Sequence, residues 1–311
     1  MKEEKRKIDM KVLSLFDGIS CGMVALQRAG IKVDRYVAYE IEENAIKVSQ
    51  FNYPEIEHKG DVFKADYSTD NIFDILIGGS PCTYWSIAGA RAGGTRETKA
   101  SGLGWDLFSQ YVRALKETKP RWFLYENNAS MAKEIKQCIS EVLGCEPIEI
   151  DSADFSAQHR KRYYWTNIPV KTGWAKSSVL FSDIKEQDTG IKSFEKYKDT
   201  VRISEDGMCI SWDTSGKGNY SQQNRARRIK QKWNTLPSSG SDKNNIYISG
   251  YLYRKITPLE AERLQTLPDG YTSCLKNNTR RIEVCGNGWT VDVIAYLLGG
   301  LKRYIKEVKQ N

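Results

Sequence analysis

The chain's 311 residues, 40% hydrophobic and 28% charged, suffice for one large domain or one and a half. No apolar run approaches bilayer-spanning length and the amino-terminal MKEEKRK lacks a signal peptide's apolar core, so a cytoplasmic protein without membrane contact is expected. A net charge of +8 favours an anionic partner, nucleic acid above all.

Lys11 to Phe16 reads as a first strand, followed by the turn Asp17-Gly18-Ile19-Ser20-Cys21-Gly22 and a helix to Ala29, with Gly30 as its stop. A Gly-rich strand-to-helix turn at the first crossover is where α/β folds take a nucleotide-like ligand. The dinucleotide fingerprint G-x-G-x-x-G is absent, and the acidic Asp17 suits a positively charged ligand better than a pyrophosphate. A tight turn with no ligand reads equally well. Tyr36 to Tyr39 is a second strand ending in Glu40, the place where this architecture hydrogen-bonds ribose hydroxyls. A helix over Asn44–Asn52 precedes a short third strand from His58 to Val62, with Asp61 at its edge.

Phe73 to Gly78 reads as a buried parallel strand that delivers Cys82, through Gly79-Ser80-Pro81, to the carboxyl edge of the sheet. A thiol held there is a candidate nucleophile, the alternative being an ordinary buried cysteine. Seven scattered cysteines with no C-x-x-C pair, and histidine only at His58 and His159, argue against a disulfide framework and a metal site. Thr83 to Gly104 is glycine-rich and reads as a mobile lid whose Arg91 and Arg96 can meet phosphates. A helix over Asp106–Thr118 leads to the buried strand Trp122–Tyr125, which ends in Glu126-Asn127-Asn128. After a helix to Leu143 and a strand at Pro147–Ile150, Gln158-His159-Arg160-Lys161-Arg162 feeds an aromatic strand, with Arg160 and Arg162 on one face by alternation.

From Thr172 to Tyr253 the α/β rhythm lapses into short strand-like pieces. The densest basic run, Asn224 to Trp233, sits there and reads as a phosphate-contacting surface with no ordered framework to aim it. Thr257-Pro258-Leu259-Glu260 is a capping box that opens a helix stopping near Pro268. The last element follows Cys285-Gly286-Asn287-Gly288-Trp289 and runs through Val291, Ile294, Leu297 and Leu298.

A positioned thiolate adds to an electron-poor ring carbon, and a neighbouring carboxylic acid that protonates a ring nitrogen eases the addition. Arginines hold a ring carbonyl or a flanking phosphate. In their order along the chain these residues closely resemble the DNA cytosine-5 methyltransferases. Phe16, Asp17, Gly18, Ile19 and Gly22 resemble the first motif, which binds S-adenosylmethionine, and Glu40, Ile41, Asp61 and Val62 the ribose and adenine contacts. Pro81-Cys82 resembles the nucleophile motif, Glu126-Asn127 the acidic motif, and Gln158, Arg160 and Arg162 the Q-x-R-x-R motif. Asn287-Gly288-Trp289 is similar to the motif that closes over the cofactor. Two positions depart from the pattern: Asn128 stands where valine is usual, and Thr83 where asparagine or glutamine is. Within the family the likeness is to the de novo type of catalytic domain, in the form of a stand-alone bacterial or phage enzyme.

The resemblance implies an α/β fold, a Rossmann-like S-adenosylmethionine-dependent methyltransferase sheet with a small irregular target recognition region. The boundaries it implies are 1–171 and 256–311 for the catalytic part and 172–255 for the recognition region. It implies flipping of a cytosine out of double-stranded DNA, addition of Cys82 to C6, protonation at N3 by Glu126, and methylation at C5. Arg160 and Arg162 complete the catalytic set, and Ser86, Arg91, Gln158, Arg225, Arg227, Arg228 and Lys230 are the implied DNA contacts. The expected product of the cofactor is S-adenosylhomocysteine, with no metal, a monomeric protein, and a cognate restriction enzyme left open as a partner. A tRNA cytosine-5 methyltransferase shares the same residues, and an inactive DNA-binding relative is the other alternative. A nicotinamide dehydrogenase is disfavoured by the missing fingerprint.

Overall fold

The computed structural model describes residues 10–68, 72–87, 96–218, 220–236 and 244–308. Arg91 falls outside them. The chain divides into two compact units, one of residues 1–151, 161–175 and 291–311, the other of residues 152–160 and 176–290.

The first unit is built on a seven-stranded sheet. Its strands are β1 (Met10–Leu15), β2 (Val33–Tyr39), β3 (Glu57–His58), β4 (Ile75–Gly78), β5 (Trp122–Asn128), β6 (Ile148–Asp151) and β7 (Lys161–Thr166). They lie in the order β3-β2-β1-β4-β5-β7-β6. All pairings are parallel except those of β7, which sits antiparallel between β5 and β6. This is the Rossmann-like arrangement expected. The strands are apolar runs because both sheet faces are covered: Val12, Leu13, Leu15, Ile75, Leu76 and Ile77 are at or below 1% exposure. The chain runs outward from β1 through β2 to β3, then returns to place β4 on the other side of β1. That reversal makes the carboxyl ends of β1 and β4 the topological switch point of the sheet, and the Phe16–Gly22 turn and Cys82 both follow those strand ends.

Two expectations here need correcting. The third strand is shorter than expected, because Asp61 caps the 3-10 turn Val62–Lys64 through a bond from Phe63 N at 3.0 Å. Glu126, Asn127 and Asn128 do not follow the fifth strand but belong to it. Pairing with Tyr164, Tyr163 and Arg162 of β7 keeps the polar triplet extended.

The second unit holds a six-stranded sheet of β8 (Lys192–Ser193), β9 (Arg202–Ile203), β10 (Cys209–Ser211), β11 (Arg225–Arg227), β12 (Asn245–Ser249) and β13 (Leu252–Lys255). Its order is β8-β13-β12-β11-β10-β9, and one face packs on Phe194, Ile210, Trp212 and Ala226. Phe194 stacks on Trp212 with ring centroids 4.4 Å apart. The basic run therefore does have an ordered framework, contrary to expectation. Ala226 is fully buried, so Arg225 and Arg227 on either side of it point to the opposite face of the sheet. The capping box at Thr257 is present, with Glu260 also held by the fully buried Arg254 at 2.7 Å. A helix over Asn278–Asn287, capped by the Asn277 side chain, was not anticipated.

Gly78, the last residue of β4, has a definite steric reason. A β-carbon there would stand 2.7 Å from the Leu15 carbonyl oxygen and 3.2 Å from the Tyr111 ring. Since main chain cannot yield as a flexible side chain can, Gly78→Ala is expected to destabilise the protein by about 1–3 kcal/mol. Chemical denaturation checks this, and an unchanged midpoint would contradict the packing argument.

Candidate active site

After β1 the chain adopts positive φ at Phe16, Gly18 and Ser20, which folds the turn tightly before the helix Cys21–Arg28. Two carboxylates hold it. Asp17 Oδ1 accepts from Ser14 Oγ and from Tyr36 Oη, each at 2.6 Å, and its Oδ2 accepts from Ser20 Oγ. Burial raises the Asp17 pKa above its ordinary value, and these donors oppose the shift. Glu40 Oε2 accepts from Gly18 N at 2.8 Å, while Oε1 accepts from Ile41 N at 2.7 Å and Glu42 N at 2.8 Å. Burial raises its pKa too, against the same backbone donors. Ile41 is 71% exposed and Val62 is buried.

The acidic turn expected to face a cationic ligand is thus engaged inward. Asp17 shapes the turn.

Beyond β4, Pro81 precedes the 3-10 turn Cys82–Tyr84. Trp85 N and Ser86 N donate to the Cys82 carbonyl at 3.1 and 2.9 Å, and both Trp85 and Ser86 are buried. Cys82 is a free, half-buried thiol. One strand over, the Asn127 amide nitrogen donates to Ser80 O at 3.1 Å and Tyr125 Oη at 3.2 Å, and Ser80 Oγ lies 2.7 Å from Tyr125 Oη. Glu126 points to the other face of β5, where Oε1 pairs with Arg162 Nε at 2.9 Å. The register explains the pair, since Glu126 lies opposite Tyr164 and diagonal to Arg162. Asn128 spends its Oδ1 on Ser130 N and Oγ at 3.0 and 2.7 Å.

Arg160 precedes the strand that carries Arg162. The strand begins at Lys161, so the alternation expected for both arginines covers only the second. In the second unit Arg160 Nη2 donates to the Gly288 carbonyl at 3.0 Å, just past the helix that ends with Asn287, and Trp289 follows. Gln158, expected at the DNA, is fully buried. Its Nε2 donates to Leu264 O and Gln265 Oε1, and its Oε1 accepts from Leu236 N. Along the basic run, Arg225, Arg228 and Lys230 are exposed, while Arg227 is half-buried. Lys232 is used internally, donating to the Ser156 and Ser177 carbonyls at 2.8 and 2.9 Å.

The sequence matches the C-5 cytosine-specific DNA methylase family over residues 10–206 and 171–303. The chain belongs to this family. It is 28% identical over 295 residues to the orphan methyltransferase M.SPRI of Bacillus phage SPR, covering 82% of this chain and 65% of that protein. It is 39% identical over 120 residues to the orphan methyltransferase M.Rho11sI of Bacillus phage rho11s, covering 38% of this chain and 23% of that protein. The chain thus spans less than two thirds of the length of these two phage relatives. With the type II methyltransferase M.NgoPII of Neisseria gonorrhoeae it shares 25% identity, over 96% of both chains. Among solved structures, a candidate DNA modification methyltransferase encoded within an E. coli prophage superposes with a TM-score of 0.64. That likeness, at 19% identity over 96% of this chain and 100% of the other, shows a shared fold.

Sequence reasoning missed a hydrogen-bonded relay behind the methylase's first turn. Ser20 gives its single hydroxyl proton to Asp17 Oδ2, so the 2.6 Å contact with Ser49 Oγ is Ser49 donating. Ser49 then has no proton left for His58 Nε2 at 3.0 Å, so the imidazole donates through Nε2–H. Its Nδ1 is left as a bare lone pair, and that atom is buried without a partner. Burial lowers the His58 pKa below 6.5, with Asp17 opposing. Only the spacing of Ser20, Ser49 and His58 in folded space reveals this, and no sequence period does.

The unfolded chain takes up a proton at His58 near pH 6.5, and the folded one resists it. Stability from this group is therefore complete above that pH and falls as the pH drops below it. His58→Gln, which keeps a donor for Ser49 but cannot titrate, is expected to flatten the loss between about pH 6.5 and 5. Denaturation midpoints of both proteins across that range check it. An identical acid-side loss in the variant would contradict the relay.

Proposed function

We propose that the chain transfers a methyl group from S-adenosylmethionine to carbon 5 of a cytosine in duplex DNA. The observation that carries the reading is the pair of neighbouring strand ends in a chain of this family. Cys82 follows β4 and Glu126 lies on β5, and Ser80, Tyr125 and Asn127 link the two.

The first turn fits the cofactor. Gly18 has open space where a β-carbon would be, and the exposed Ile41 offers an apolar face beside Glu40. Three main-chain N–H groups occupy the Glu40 carboxylate, from Gly18, Ile41 and Glu42, leaving one of its roughly four acceptor sites for a ribose hydroxyl. When bound, the cofactor supplies an electrophilic methyl group.

The base must leave the stack for Cys82 to reach it. The Cys82 thiolate adds to C6 as Glu126 delivers a proton to N3, and electron density moves to C5. Arg162 holds the Glu126 carboxyl in place. After C5 takes the methyl group its proton passes to solvent water, the C5–H electrons restore the C5–C6 double bond as the sulfur–C6 bond breaks to return the Cys82 thiolate, and Glu126 recovers the N3 proton.

Cys82→Ser is expected to abolish methyl transfer to DNA, because the serine hydroxyl is far less ionised than a thiol, while leaving cofactor affinity within about twofold. Transfer of labelled methyl groups to duplex DNA and, in parallel, to tRNA checks both the residue and the polymer. Robust transfer by the variant would sink the mechanism, and preference for tRNA would move the substrate.

For the DNA surface, exposed Arg228 and Lys230 are assigned phosphate contacts. Arg228→Ala and Lys230→Ala should each lower the salt dependence of DNA binding by about one unit of slope. Unchanged slopes in both would remove the segment after β11 from the contact surface.

A further inference from the structure

Where the glycine-rich segment returns to the sheet, Arg96 and Glu97 grip the nucleophile turn from several sides. Glu97 N donates to the Tyr84 carbonyl at 2.8 Å, and Arg96 Nε donates to the Trp85 carbonyl at 3.2 Å. The Trp85 indole N–H in turn donates to Glu97 Oε2 at 3.2 Å. Each side chain then reaches a second element. Arg96 Nη2 donates to the Ser130 carbonyl at 2.6 Å, in the turn that closes β5. Glu97 accepts from Gly104 N at 3.1 Å, at the start of the helix Leu103–Thr118.

The neighbouring sequence is shaped around this grip. The helix Leu103–Thr118 has no side-chain cap of its own, since Gly102 stands at the N-cap. Glu97 supplies the missing acceptor and a negative charge at the positive end of the helix. A β-carbon on Gly102 would come within 2.5 Å of Glu97 Oε1, and one on Gly104 within 2.6 Å of both Glu97 Oε2 and Trp85 Nε1. Both glycines leave room for the carboxylate. The family departure at Asn128 belongs to the same assembly. Its Oδ1 fixes Ser130, whose carbonyl Arg96 holds and whose Oγ accepts weakly from Ile87 N at 3.4 Å.

We propose that Arg96 and Glu97 are positioning residues for methyl transfer, clamping the Cys82–Trp85 turn to the Asn128–Ser130 turn and so setting the sulfur against Glu126. Neither touches a reacting atom. Arg96, expected from sequence to meet a DNA phosphate, is committed instead to two main-chain carbonyls. A lysine retains the charge but has a single head group and cannot span both carbonyls as the guanidinium fork does. The proposal rests on the methyltransferase reading above.

The test compares the full chain with Arg96→Met, Arg96→Lys and Glu97→Gln. It reads kcat and DNA KM for methylation of duplex DNA, and cofactor Kd by calorimetry. Misplacing a reacting atom by about 1 Å costs on the order of 10²-fold in rate, so Arg96→Met should lose about that much in kcat. DNA KM and cofactor Kd should stay within about twofold, and Arg96→Lys should recover part of the loss. Arg96→Met with wild-type kcat overturns the proposal, and so does a loss that falls mainly on KM or Kd. Should Arg96→Met fail to fold, Glu97→Gln decides on the same readings, with a selective fall in kcat expected. A wild-type chain that transfers no methyl group removes the activity reading and this proposal together. An active wild type matched by its variants removes the clamp alone.

Discussion

The carboxyl edge of the large sheet depends on one buried cluster, formed by Ser80, Tyr125 and Asn127. Asn127 is fully buried and Ser80 is 3% exposed, so every polar group they bring must find a partner inside the protein. They find one another: the Asn127 amide reaches the Ser80 carbonyl, Ser80 Oγ and Tyr125 Oη at 3.1 to 3.3 Å. Leaving such a group unpaired costs about 1–3 kcal/mol, whereas the made bond contributes less, so the cluster is stable mainly against its own disruption. The consequence is geometric. The turn that carries Cys82 and the strand that carries Glu126 cannot shift independently.

The same constraint operates at the first turn. Two acidic side chains whose pKa values are raised by burial are tolerated because donors surround them. Asp17 draws hydroxyl protons from Ser14, Ser20 and Tyr36, and Glu40 draws main-chain protons from Gly18 and its own successors. Those bonds hold backbone at positive φ that Phe16 and Ser20 adopt only at some expense. Preorganised polar groups at the two strand ends form one scheme, in which the loops beyond the strands are fixed from behind.

Sequence exposed the strand ends because their chemistry is local. Val12 to Leu15 and Phe73 to Ile77 are apolar runs that stop at glycine or acid, and such stops mark the sheet edge whatever surrounds them. The sequence ends the strand at Tyr125 because asparagine is a poor strand former, and pairing with β7 keeps Asn127 and Asn128 extended. The short strands of the second unit gave no usable period. β11 is Arg-Ala-Arg, and only its alanine faces the core. The helix Asn278–Asn287 hid behind two central arginines, a late glycine and an asparagine end. Gln158 and Lys232 look like surface polar residues in sequence, yet both donate to carbonyls contributed by distant segments. Polar side chains that serve main-chain groups far away leave no trace in spacing.

Charge followed the same division. The formal excess of +8 favours an anionic partner, but it does not say which cations are available to meet one. Arg254 is fully enclosed by Asp188 and Glu260, and Arg162 is committed to Glu126. Enclosed pairs of this kind add little net stability, yet removing one partner is costly, so they act as fixed points in the fold.

The turn that carries Cys82 and the strand that carries Glu126 are held as one body. A double-mutant cycle on Ser80→Ala and Tyr125→Phe, read as the single-turnover rate of DNA methylation, tests it most directly. Strong non-additivity is expected, a coupling of about 0.5–3 kcal/mol in the activation barrier, since either change alone breaks the shared contact. Two additive effects, or no effect on the rate at all, would contradict it.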